Sequence, residues 1–138
     1  MCVFVIKEEM ENPMEWYDKE IGNDADWEYN KILNAYHTGS VYLAEGDDYT
    51  SFQDHANFLF VSWDVSDWIK IASGRELIYG YYSEDLLEAE FTHIKNGECI
   101  RNYRVYDGEV EEDIGELPKF DSWVNVASYV DSMLGEYI

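Results

Sequence analysis

The chain has 138 residues, of which 46% are hydrophobic and 17% aromatic, enough apolar material for one domain with its own core. Thirty acidic residues stand against nine Lys and Arg, a formal net charge of -21 at pH 7. That balance argues against direct binding to a nucleic-acid backbone, which needs clustered cations, and against adhesion to an anionic membrane surface.

The chain opens with five consecutive apolar residues, Cys2 to Ile6, followed at once by acids. A signal peptide needs a basic start, a longer apolar run and a small-residue cleavage site. No stretch approaches the roughly 18 apolar residues that span a bilayer, so a soluble, cytoplasmic protein is expected. Residues 2–7 read as a short buried strand, and Asn12-Pro13 ends it. Beyond Asn23 helix formers accumulate as far as His37. The expectation there is a helix with Asp24 at its N-cap or first turn. Trp27, Ile32 or Leu33, and Tyr36 would be its buried stripe, and Gly39 its stop.

From Val41 the period changes to two. Residues 41–44 read as a strand and Gly46-Asp47-Asp48 as a turn. Residues 58–63 (Phe-Leu-Phe-Val-Ser-Trp) read as a strand buried on both faces. Residues 68–72 read as another, Trp68, Lys70 and Ala72 alternating with Ile69 and Ile71. Ser73-Gly74 is a turn, and residues 76–83 form a further strand.

The strongest local signal is Asn96-Gly97 between two alternating runs, residues 86–95 and 98–106. Both central residues of such a turn adopt positive φ, which Asn and Gly tolerate. The expected register pairs Lys95 with Glu98, Ile94 with Cys99 and His93 with Ile100. One face then holds Leu87, Ala89, Phe91 and His93 opposite Ile100, Asn102, Arg104 and Tyr106. The other holds Glu88, Glu90 and Thr92 opposite Arg101, Tyr103 and Val105, with Glu90 diagonal to Arg101. Residues 107–116 read as an acidic loop. Residues 120–137 read as a terminal helix, capped by Asp121 or Ser122. Its apolar face is Phe120, Trp123, Val124, Ala127, Val130, Leu134 and Ile138. The expected architecture is a single α+β domain over residues 1–138. It has a mostly antiparallel sheet of about five or six strands, packed on one or two helices that include the C-terminal one.

The residues carry no catalytic signature. Asp24, Asp26 and Glu28 alternate as in a calcium loop, but the sixth and twelfth positions hold Tyr29 and Ala35 where Gly and Glu belong. His37, His55 and His93 have no paired metal spacing, and there is no Cys-x-x-Cys. There is no nucleophile elbow and no phosphate-cradling glycine loop. In the expected register Cys99 points away from His93, which denies a Cys-His pair. Cys2 and Cys99 are expected as free thiols of a reducing compartment, with a single bridge left open. The reading is a protein with no enzymatic activity, no cofactor and no metal.

Charge is the unusual feature. No Lys or Arg occurs between Lys31 and Lys70, a window that contains Glu45, Asp47, Asp48, Asp54, Asp64 and Asp67. These are interleaved with Tyr42, Tyr49, Phe52, Trp63 and Trp68. Carboxylates steer and pair with Lys and Arg, and aromatics supply desolvated anchors, so this mixture suits a cationic protein partner. The net charge also exceeds the magnitude of about 2 to 8 that keeps a small domain soluble. The candidate partner-binding residues are Glu45, Asp47, Asp48, Tyr49, Trp63, Asp64 and Asp67. A second set is Glu109, Glu111, Glu112 and Asp113.

Small size, acidity, abundant Tyr and Trp, and the segment from Tyr82 through Ser83, Glu84, Asp85, Leu86, Leu87, Glu88 and Ala89 to Glu90, followed by Asn96-Gly97 and Arg101, give the chain a general character. In that character it resembles the immunity proteins of bacterial polymorphic and contact-dependent toxin systems. The resemblance is one of type and covers residues 76–138. It transfers no catalytic or binding residue. It implies a binder that covers a cationic site, such as a nuclease site, on a partner toxin. Two alternatives stand beside it: a nucleic-acid mimic of the anti-restriction type, and a small ligand-binding domain or enzyme whose pocket is assembled from distant residues.

Overall fold

The computed structural model describes residues 1–22 and 26–137. Among them are nine strands and three α-helices. The fold is α+β as expected, with more strands and helices than the sequence pattern indicated. The strands are β1 (Cys2–Ile6), β2 (Glu28–Asn30), β3 (Ala35–Thr38), β4 (Val41–Glu45), β5 (Thr50–Asp54), β6 (Leu77–Ser83), β7 (Glu88–Lys95), β8 (Glu98–Tyr106) and β9 (Glu109–Ile114). They form one antiparallel sheet in the order β2-β3-β4-β5-β1-β6-β7-β8-β9. No helix among the described residues is long and apolar enough to cross a membrane.

β1 lies at the centre of this sheet, which explains its unbroken apolar run. Cys2, Phe4 and Ile6 enter the core on one face, and Val3 and Val5 enter the core on the other. Helices α1 (Pro13–Glu20) and α2 (Val65–Ala72) cover the first face. Helix α3 (Trp123–Met133) covers the second, lying across β6 and β7. It can sit close because Gly80 has no side chain; a Cβ there would be 2.6 Å from Leu134 and 2.7 Å from Val130.

Several expectations are corrected. The helix expected after Asn23 is absent over residues 28–38, where β2 and β3 form a hairpin, and Ile32 is 93% exposed. The proposed cap Asp24 lies outside the described residues. Gly39, expected as a helix stop, turns β3 into β4 with φ of +54°. The helix of this region is α1, which starts on Pro13, a residue suited to a first helical position because its missing N–H needs no partner there.

Residues 58–63 are a loop, and residues 68–72 belong to α2. Asp64 accepts the Asp67 N–H at 2.9 Å while Asp67 accepts the Asp64 N–H at 3.1 Å, a reciprocal cap that starts a helix. Trp68, Ile71 and Ala72 then share its buried side.

The hairpin begins in the expected register, but it shifts between Ile94 and His93, so that His93 pairs with Arg101 and Ile100 is the extra residue. The shift reassigns the faces. Ala89 and Phe91 now oppose Val105 and Tyr103 beneath α3, and Glu90 and Thr92 oppose Arg104 and Asn102 on the other face. Apolar thus meets apolar and polar meets polar, which the unshifted register would have crossed.

Finally, the acidic loop expected over residues 107–116 contains the edge strand β9. The terminal helix is shorter than expected; Val126 and Val130 are buried within it and Leu134 just past its end, Val124 is exposed, and Ile138 lies outside the described residues.

Candidate partner-binding surface

The loop between β5 and α2 is shaped by two buried carboxylates. At its start Asp54, fully buried, accepts hydrogen bonds from the Ser40 hydroxyl and from the N–H groups of Ala56 (3.0 Å), Phe58 (2.9 Å) and Leu59 (2.8 Å). Burial pushes the Asp54 carboxyl up, and these bonds outweigh it, holding it below the usual carboxylate range. At the loop's end Glu90, also fully buried, accepts the Ser62 N–H at 3.0 Å, where Ser62 has φ of +69°. A chain whose N–H groups are taken by carboxylates cannot pair as a strand, which is why residues 58–63 leave the sheet.

This pinned loop leaves a cavity of about 420 Å³ between itself, the end of α1 and the β3–β4 turn. Tyr17, Ile21, Thr38, Val41, Phe60 and Trp63 line it, with Phe58 and Leu59 more exposed. A neighbouring depression of about 240 Å³ shares Ile21 and Trp63 and adds Glu20, Asp67, Lys70 and Ile71. Apolar surface and carboxylates therefore meet along one groove between α1 and α2. Tyr17 stacks on Phe52 at 5.1 Å, which fixes its ring. Burial, then the charges of Asp54 and Asp18, pushes its hydroxyl up to about 12.

The acids named from sequence do not form one patch. Trp63, Asp64 and Asp67 lie at the start of α2, beside this groove. Glu45, Asp47 and Asp48 surround the β4–β5 turn, at the end of the sheet where Ile6 pairs with Thr50. Ser62, just before α2, bonds instead to Glu90, toward the opposite end, where Cys2 pairs with Tyr81. Tyr49 is engaged inside the molecule, its ring packed on Tyr137 at 4.8 Å and over Gly46. Glu109, Glu111, Glu112 and Asp113 lie on β9 at the far edge of the sheet. Two of these are used internally: Asp113 pairs with the buried Arg101 at 2.6 Å, and Glu112 accepts from Asn102.

Arg101 and Arg104 are 2% and 3% exposed and serve the interior, as do the buried Asp54 and Glu90, so these four charges cancel and the acidic excess lies outside. Sequence reasoning also passed over Glu8, Glu9, Glu11 and Glu15, which line a depression of about 360 Å³ together with half-buried Trp16 and the cations Lys19 and Arg75, the latter paired with Glu8. The signal was four acids within residues 8–15. Phe58 and Leu59 were missed as surface residues because their run reads as core. Cys2 and Cys99 are both free thiols, and among the described residues no group of three or more His, Cys, Asp or Glu is placed to hold a metal ion. No protein-family model, curated protein or solved structure matches this chain.

Proposed function

We propose that the protein is a non-catalytic acidic binding module that neutralises a basic protein partner, in the manner of an immunity protein inhibiting its cognate toxin. One observation carries this reading: Trp63 and Ile21 line both the cavity under Phe58 and Leu59 and the adjoining α1–α2 groove, where Glu20, Asp67 and a single cation, Lys70, join them. Apolar anchors at the centre and carboxylates around them are the anatomy of an interface for a cationic protein. The net charge would speed the encounter, and the groove would set residence time.

The test is affinity capture from lysate of the source organism at low and near-physiological salt, with mass spectrometry of what is retained. The retained protein is then purified and its binding kinetics measured. A single basic protein held at both salts, associating more slowly as salt rises and more slowly with Glu20→Lys, is the expected result. Retention of nothing overturns the reading. So does retention only of DNA-binding enzymes that duplex DNA displaces.

A further inference from the structure

The cavity under Phe58 and Leu59 has a chemistry that acidity alone does not provide. Four aromatic side chains line it: Tyr17, Phe58, Phe60 and Trp63. No Lys or Arg does. Tyr17 is 4% exposed, and it brings a hydroxyl to an otherwise mostly apolar lining. Beside the cavity, the four donors to Asp54 are all neutral, so its charge is solvated by the fold but not cancelled. The charge of Asp54 therefore favours a cation in the cavity, and aromatic rings such as those in its lining are the side chains that attract cations. Phe58 is 63% exposed at the rim, apolar area that a covering partner would remove from water.

We propose that this cavity receives an arginine side chain of the basic partner, its alkyl stem against Phe58 and Trp63 and its guanidinium donating to the Tyr17 hydroxyl. The proposal rests on the partner reading above and names the group that the partner inserts. Arginine fits better than lysine because its planar, weakly hydrated guanidinium stacks on aromatic rings. An anion would be repelled by Asp54. A purely apolar side chain would gain nothing from the charge of Asp54.

The experiment titrates the isotope-labelled protein with Nα-acetyl-L-arginine methylamide at constant ionic strength. Its neutral isostere, Nα-acetyl-L-citrulline methylamide, serves as control, and amide and indole resonances are followed by NMR. Expected are saturable shifts at Gly22, Gly39 and the Trp63 indole, with the arginine compound roughly tenfold tighter than the citrulline one. Phe58→Ala should weaken this binding several-fold without shifting the thermal midpoint, since an exposed ring is lost and the backbone bond to Asp54 is kept. Equal binding of the two compounds, shifts confined to the Glu8–Glu15 region, or no shift would each overturn the proposal. The two readings fail separately. Arginine binding here with no basic protein retained from lysate refutes the partner, not the cavity. A retained basic protein that binds Phe58→Ala unchanged, with no arginine shifts, refutes the cavity alone.

Discussion

Glu90 and Arg104 face each other across β7 and β8 with 3.0 Å between carboxylate and guanidinium, both inside the core. The pair is embedded rather than isolated. Glu90 also accepts from the Ser62 N–H, from the Tyr79 hydroxyl at 2.7 Å and from the Tyr106 hydroxyl. Arg104 also donates to Asn102 at 3.0 Å and to Thr92 at 3.2 Å. Replacing one member strands a buried charge, so Arg104→Met should destabilise the protein by about 3–5 kcal/mol in denaturant unfolding. For a simple ion pair, replacing both members would restore stability. Here the double change Glu90→Leu with Arg104→Met should not, because Ser62, Tyr79 and Tyr106 would lose their acceptor. Recovery of wild-type stability in the double variant would refute this network.

Asp54 gives a pH dependence with a defined sign. Its folded-state carboxyl titrates below its usual value, so its contribution is present above about pH 4 and is lost as the pH falls through the folded value. Asp54→Asn turns an amide toward donors that need an acceptor and should lower stability near neutral pH by about 2–4 kcal/mol. The gap between variant and wild type should narrow as the pH drops below about 4. A gap that stays constant on acidification would show that the charge is not what holds the loop.

Within β9, two neighbouring acids should behave differently. Asp113 pairs with Arg101, which is otherwise held by the carbonyls of Ile114 (2.7 Å) and Pro118 (2.9 Å). Asp113→Asn should lower stability by about 1–2 kcal/mol. Glu111 is exposed, and Glu111→Gln should stay within about 0.5 kcal/mol of wild type. Equal effects in thermal or denaturant unfolding would contradict the assignment.

Cys2 sits at the centre of the core beside Tyr79 and Asp54. Burial, then the charge of Asp54, pushes its thiol up to about 12. At neutral pH it is protonated and enclosed, and only thiolates react. A thiol reagent should therefore label Cys2 no faster than the protein unfolds, and half-buried Cys99 should react first. Rapid labelling of Cys2 in the native protein, read by peptide mass spectrometry, would show that the N-terminal strand opens on its own.

Signals carried within a few residues were legible. The Asn96-Gly97 turn, the first strand, the 41–44 strand, the 76–83 strand and the C-terminal helix all rest on local pattern. Errors arose where two local patterns were both allowed. Residues 68–72 alternate as a strand does, yet the cap formed by Asp64 and Asp67 commits them to a helix. Residues 58–63 are apolar enough for a central strand, but Asp54 and Glu90, remote from each other in sequence, bind their N–H groups.

By itself the sequence determined the α+β class, the acidic character, the buried first strand and the hairpin turn, because composition and short-range periodicity act locally. Tertiary structure alone decided the hairpin register beyond Ile94, since one extra residue reverses which side chains meet α3. It alone decided which acids serve the interior, such as Glu90 and Asp113, and which remain outside. It alone brought Tyr17, Phe58 and Trp63 around one cavity, since that requires α1, the β3–β4 turn and the pinned loop to be in place together.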